Sequence, residues 1–263
     1  MCWDEVLDNT FQIENELLAG GFDYQIINKS KLITEDPTWV KAKDTRYYGH
    51  FFTALEDFIS NPQHSIFIFN AGDARWPEIS AYTGRLEQLF SDNPSAGVIS
   101  PNQTNDPFTG SGSFVSSSGS IPGLDLSTLT NGIFVALSRD IAEITYEYMT
   151  WAISNQIYFY SMTSGWGLDY VYCAASTYMN KYVYKDTTVT MNHPMGSHYN
   201  YWVAENEWHS IIKSFIKFWK EKGHDYVMIE NLFKLYKQKV DQKDQFNLKA
   251  EELYLNAKSE LSF

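Results

Sequence analysis

Four apolar residues, Ile66-Phe-Ile-Phe69, run directly into Asn70-Ala-Gly-Asp73. A short apolar run closed by a glycine and a carboxylate reads as a buried strand that carries an acid to one edge of a sheet. In open α/β sheets that carboxyl edge is where ligands bind. The reading this opens is Asp73 as a ligand to a divalent metal on a diphosphate. The same residues also fit a core strand ended by an ordinary Asp/Gly turn.

Helical and strand-like periods alternate around this strand. Residues 5–20 have helical spacing, with Val6, Leu7, Phe11, Ile13, Leu17 and Leu18, and Gly20-Gly21 stops them. Tyr24 to Asn28 reads as a short strand ending in Asn28-Lys-Ser30. Tyr47, Phe51, Leu55 and Phe58 share one face of a helix over 46–60, with His50 beside the stripe and Asn61-Pro62 ending it. Trp76-Pro77-Glu78 reads as the start of the next helix, continued by Ile79, Tyr82, Leu86 and Leu89. Ala96 to Ser100 is a further strand, closed by Pro101. Such alternation over 5–100 predicts an α/β fold: a mostly parallel sheet with helices on both faces.

Residues 102–123 are rich in Ser, Gly, Asn and Thr. A loop of that length in a compact domain fits a mobile flap over a site, or a plain surface excursion. Thr130 to Arg139 reads as a strand whose start carries Asn131 and Gly132, and from Asp140 the period is helical, with Ile141, Ile144, Tyr148 and Trp151 on one side. Ser164-Gly-Trp-Gly-Leu-Asp169 opens a helix to about Met179, and Lys181 to Met191 reads as a strand ending in Asn192-His193-Pro. From about 203 the pattern stays helical, with Ile212, Phe215, Ile216 and Trp219 on a stripe and Gly223 breaking it. The expected division is a domain over 1–202 and a C-terminal helical appendage over 203–263 that packs against it.

The 263 residues are 44% hydrophobic and 16% aromatic, enough for a substantial core. The formal net charge of -12 argues against nucleic acid as a partner, since phosphate backbones need a basic surface. That charge sits in residues 1–205, which hold 10 basic and 23 acidic residues, whereas 206–263 hold 10 Lys against 9 acids. An acidic body that binds a diphosphate calls for a metal to screen the charge. Cys2 and Cys173 have no zinc-site or disulfide spacing, so reduced thiols are expected. With no signal peptide and no bilayer-length apolar run, the expected location is cytoplasmic, with peripheral contact between the tail and a membrane left open. The abrupt start at Met1-Cys-Trp-Asp fits a segment of a longer protein, whose other domains would be further partners.

Chemistry concentrates at element boundaries. Asp169 lies at a helix start, where the helix dipole favours the carboxylate, and an ionised acid aimed into a cleft can take a proton from a hydroxyl. Gly165 and Gly167 permit close backbone approach to a ligand, and Trp166 could stack on a sugar ring. The alternative for Asp169 is an acid that only charges a helix start. Asp73 and His193 together suit Mg²⁺ or Mn²⁺, the imidazole favouring Mn²⁺. His193 also fits a loop histidine with no ligand. The chain has no P-loop, Gly-x-Ser-x-Gly elbow, Gly-x-Gly-x-x-Gly fingerprint or His-Glu-x-x-His.

Taken in order, Asn-Ala-Gly-Asp after a strand, Thr-Asn-Gly-Ile-Phe-Val-Ala-Leu-Ser-Arg-Asp, Gly-Trp-Gly-Leu-Asp and a strand ending in Asn-His-Pro resemble the GT-A class of nucleotide-sugar-dependent glycosyltransferases. The resemblance covers roughly residues 20–200. It implies a GT-A (Rossmann-like) fold and a metal on the donor diphosphate held by Asp73, the last position of an Asp-x-Asp type motif, and by His193. It implies Asp169 as catalytic base of an inverting transfer. Asn28 and Ser30 would border the nucleotide, and Asn70, Gly72, Asn131, Gly132, Gly165, Trp166 and Gly167 would line the donor or acceptor. The implied donor is a UDP- or GDP-sugar, and the acceptor a glycan or lipid-linked glycan, as in bacterial surface polysaccharide biosynthesis. The sequence departs from the class in two places. Asn70 and Ala71 stand where a second acid often sits, and the usual first strand is missing or reduced to residues near Cys2-Trp3. These departures favour an alternative, a carbohydrate-binding or scaffold domain without turnover; a sugar nucleotidyltransferase, which shares the general fold, is a third reading.

Overall fold

The computed structural model describes residues 2–3, 18–19, 27–28, 46–70, 79–103, 115–118, 120–130, 132–155, 167–192, 201–225 and 227. In chain order the elements are β1 (Cys2–Trp3), β2 (Ile27–Asn28), α1 (Arg46–Ser60), β3 (Ile66–Asn70), α2 (Ile79–Asp92), β4 (Ala96–Gln103), β5 (Val115–Ser118), β6 (Leu124–Ser127), β7 (Phe134–Ser138), α3 (Arg139–Ser154), α4 (Leu168–Tyr178), β8 (Tyr182–Met191) and α5 (Tyr201–Glu221). The architecture is α/β, with helices on both faces of a six-stranded sheet in the order β3-β7-β4-β8-β6-β5. The two-residue strands β1 and β2 pair with each other in parallel, apart from that sheet.

The sheet is mixed, which corrects the expectation of a mostly parallel one. Only β4 and β8 pair in parallel; the pairs β3·β7, β7·β4, β8·β6 and β6·β5 are antiparallel. β3 and β4, joined through α2, do point the same way, as a helical crossover requires. The late strand β7 then inserts between them, running against both. A strand's own residues dictate which face each side chain takes, but not which distant strand lies beside it.

The stretch expected to be a single long loop is also partly sheet. β4 runs on through Pro101 to Gln103, and β5 and β6 form an antiparallel pair at the sheet's end. Pro101 is tolerated because the β4·β8 register shifts between it and Asn102, so its missing N–H falls at an irregularity. Residues 104–114, the middle of the expected flap, lie outside the described residues.

Alternation sorts the core into two layers. Phe67, Phe69 and Val98 join α1, α3, α4 and α5 on one face, while Ile66, Ile68, Ile99 and Phe134 join α2 on the other. On α1 the stripe Phe51, Leu55 and Phe58 is buried, as its i, i+4, i+7 spacing dictates. α5 buries Ile211, Ile212, Phe215, Ile216, Phe218 and Trp219 in the same core as α3 and α4, with the Tyr148 hydroxyl of α3 donating to the Ile211 carbonyl at 3.1 Å. Each fully buried aromatic of this kind is worth about 1.5–3 kcal/mol. Gly223, at φ +77°, follows the end of α5 in the left-handed region.

One ion pair fastens α2 to the sheet. Asp186 of β8 is fully buried and accepts from Arg85 Nε at 2.7 Å and Nη2 at 3.2 Å, and from Thr188 N at 3.0 Å and Oγ1 at 2.6 Å. Burial first, and the Asp186 charge second, push the neighbouring Tyr82 phenol far above its ordinary range. No helix of the described residues is long and apolar enough to cross a membrane.

Candidate active site

Strand directions bring most of the described candidate residues to one edge. The register sets Asn70 opposite Phe134, so the end of β3 lies beside the start of β7, two residues after Gly132. Gln103 pairs with Met191, so β4 and β8 finish at that same edge. Asn192 follows directly.

Helix α4 starts there too. Near its far end, Ser176 sits against Gly97 and the Tyr182 carbonyl, at the starts of β4 and β8. α4 therefore runs against those strands, and its first turn points to where they end. The close seat depends on Gly97, because a Cβ there would meet Ser176 Oγ at 2.2 Å. Midway along α4, Thr130 Oγ1 lies 3.7 Å from Cys173 Sγ and ties the segment before β7 to the helix.

Gly167 is the N-cap of α4 at φ +99°, a left-handed conformation that costs little only for glycine. Asp169 is the second residue of the helix, half-buried, and its Oδ1 accepts from the Tyr170 N–H at 3.1 Å. The helix-start placement expected from Gly-Trp-Gly-Leu-Asp is thus found. The unsatisfied N–H groups of that turn favour an ionised carboxylate.

Asn70, Gly132, Gly167 and Asp169 are therefore brought to one edge. Asn28 is not joined to it by strand pairing among the described residues, since it ends β2 in the separate two-stranded sheet. Ser30, Gly72, Asp73, Asn131, Gly165, Trp166 and His193 lie outside the described residues. Among the described residues no three His, Cys, Asp or Glu side chains cluster as a metal group.

Three residues at or near the edge were not singled out as site residues from the sequence, although Thr130 and Asn192 lie within its boundary segments. Thr130 is buried and anchors α4 through Cys173. Gln103 is buried, with an amide nitrogen that lacks a hydrogen-bond partner among the described residues. Asn192 is exposed at the end of β8. A strand ended at Pro101 hides Gln103, which only the burial of the continued strand reveals.

Burial pushes the Cys173 thiol up to about 12; hydrogen bonds from the Thr130 backbone and side chain oppose this, and the Asp169 charge adds to it. The thiolate is the reactive form. In a Cys2→Ser variant, Ellman's reagent at pH 8 should count no thiol in the native protein and one after guanidinium unfolding. Rapid native labelling would show that the Thr130–α4 contact opens.

A further described concavity lies elsewhere. A cleft of about 940 Å³ at the opposite edge is lined by His64, Ser138, Arg139, Asp140, Glu143 and Lys181, among others. Its charges serve the fold. Arg139 donates to the Ile59, Asn61 and His64 carbonyls at 3.0, 3.0 and 2.9 Å, closing the end of α1. Lys181 pairs with Asp140 at 2.8 Å. Burial works to raise the Asp140 pKa, but Lys181, the Ser138 hydroxyl and the Ile141 N–H outweigh it and hold the carboxyl below its ordinary range. Size alone therefore does not make this cleft the site.

No family model, curated protein or solved structure matches the chain.

Proposed function

We propose that this chain is a nucleotide-sugar-dependent glycosyltransferase of the GT-A type, inverting, with Asp169 as general base. The observation that carries the reading is the entry of α4, with Asp169 in its first turn, at the same sheet edge as the ends of β3 and β8 and the start of β7. Those are the boundaries at which the sequence resemblance puts its motifs.

The donor lies along this edge. Gly132 sets no side chain between backbone and donor, and Asn70 carries amide groups that suit its hydroxyls or phosphates. Asp169 accepts the proton of the acceptor hydroxyl. The hydroxyl oxygen then bonds to the anomeric carbon as the bond from that carbon to the diphosphate oxygen breaks on the opposite face. The acceptor is a glycan or a lipid-linked glycan.

Asp73 follows Asn70 by three residues, and His193 follows Asn192 directly. The carboxylate of Asp73 and the imidazole of His193 would hold the ion, a donor pair that suits Mn²⁺ or Mg²⁺. Such an ion would supply charge stabilisation to the leaving diphosphate.

A panel of UDP- and GDP-sugars with Mn²⁺ tests the reading through release of the nucleoside diphosphate. We expect release with one donor, accelerated by an acceptor glycan; pyrophosphate release would point to a nucleotidyltransferase instead. Asp73→Ala should abolish metal-dependent donor binding with the melting temperature unchanged. Wild-type binding indifferent to a chelator would remove the metal from the account. The single carboxylate in Asn70-Ala-Gly-Asp73 favours a second reading, a sugar-binding domain without turnover, which predicts donor or glycan binding with no release.

A further inference from the structure

Gln103 ends β4, a central strand of the sheet, and is only 9% exposed. Its amide nitrogen is buried and has no hydrogen-bond partner among the described residues. Other buried polar side chains are matched close by: the hydroxyls of Ser100, Ser127, Thr145 and Ser214 donate to the carbonyls of Phe134, Leu129, Ile141 and Ile211. A buried amide left unmatched costs its full desolvation, which an apolar side chain of the same length would avoid. Glutamine at this position is accounted for if its acceptor arrives with a ligand.

The register tells which face Gln103 takes. Partners in the β4·β8 ladder share a face: Val98 and Val183 join the layer under α4, Ile99 and Tyr184 the layer under α2. Gln103 pairs with Met191, which belongs to the α2 layer. Alternation agrees. Pro101 pairs with Asp186, which bonds Arg85 of α2, and Gln103 is two residues on. The extra residues at the register shift lie on β8, so β4 alternates through it. Asn70 takes the same face, since its partner Phe134 packs on Tyr82 of α2 with ring centroids 5.6 Å apart. The Ser100 hydroxyl, donating to the Phe134 carbonyl at 3.0 Å, holds β4 against β7 between them. Two carboxamides therefore stand on the α2 face of the candidate edge, two strand spacings, about 10 Å, apart across the sheet. Asp169 stands on the other face, in the first turn of α4.

We propose that Gln103 is a donor-binding residue, whose carboxamide donates a hydrogen bond to an oxygen of the nucleoside of the sugar nucleotide. This rests on the reading of the chain as an inverting transferase with Asp169 as base. In an inverting transfer the attacking oxygen and the leaving oxygen lie on opposite sides of the anomeric carbon. With the acceptor hydroxyl at Asp169 on the α4 face, the diphosphate and its nucleoside extend toward the α2 face, where Gln103 stands. The buried nitrogen is reached as the site opens to admit the ligand, and the new bond then replaces the missing one.

The test titrates UDP and GDP, each with Mn²⁺, into wild type and Gln103→Met by calorimetry. The thioether keeps the length of the side chain and removes its donor. The nucleoside diphosphate that binds the wild type should bind Gln103→Met about tenfold more weakly, the worth of one hydrogen bond. The melting temperature of the free variant should hold or rise, because the unmatched amide is gone. Unchanged affinity overturns the proposal. So does affinity lost together with a lower melting temperature, which would make the amide part of the fold, and so does a wild type that binds neither nucleotide. If Gln103→Met does not fold, NMR of the wild type decides. The Gln103 side-chain amide signals, assigned through Gln103→Asn, should move on addition of the nucleoside diphosphate, and unmoved signals overturn the proposal. Binding that depends on Gln103 in a protein without transfer would fail the function reading alone; transfer with wild-type affinity in Gln103→Met would fail this inference alone.

Discussion

Asp169→Asn should lose transfer by about two to four orders of magnitude, the usual worth of a general base, while binding the donor as tightly as the wild type. The amide keeps the size of the carboxylate and can still accept from the Tyr170 N–H, so the first turn of α4 is preserved. What it loses is the capacity to take a proton. The measurement pairs turnover, by nucleoside diphosphate release, with calorimetric donor affinity. A proportionate loss of both would make Asp169 a binding residue. Unimpaired turnover would reduce it to an acid that charges a helix start.

The largest expected loss of stability is at Arg85. Arg85→Ala leaves Asp186 fully buried with its charge partner gone, a change that typically costs about 3–5 kcal/mol. Two effects place this case at the lower end. Arg85 is one-third exposed, so water screens part of the pair, and Thr188 still donates to the carboxylate through its N–H and hydroxyl. At about 2–4 °C per kcal/mol for a chain of this size, the melting temperature should fall by roughly 6–12 °C. The double variant Arg85→Met, Asp186→Leu should recover most of that, because it removes the buried charge with its partner. An unchanged melting temperature in Arg85→Ala would mean that α2 is held by Tyr82, Leu86 and Leu89 alone.

The parts of the fold legible in the sequence are those set by local periodicity. The stripe Phe51, Leu55, Phe58 can bury itself only as a helix, and α1 spans the residues it implies. The run ending in Asn70 alternates between faces and is β3. The glycine before Leu168 permits the left-handed N-cap that starts α4, so Asp169 stands where its motif suggests. Less legible were β5 and β6. Their few apolar residues lie among Ser and Gly, and they become sheet only because β8 offers β6 an edge to pair with.

The candidate site divides along the same line. Asn70, Gly132 and Asp169 are separable in the sequence as three boundary residues, each with a bland alternative. Their shared edge is a product of strand order: β7 runs antiparallel between β3 and β4, and so its start meets their ends. Gln103 carries no pattern of its own in the chain. It stands out through burial, which is a property of what packs over it.

The sequence by itself determined the elements, the faces they bury and the acids at their ends, because those follow from backbone geometry repeating over 2 or 3.6 residues. Only the tertiary structure decided that the sheet is mixed and that α5 shares the core of α3 and α4. Pairings between residues tens of positions apart depend on how whole surfaces fit together, and no local period encodes them.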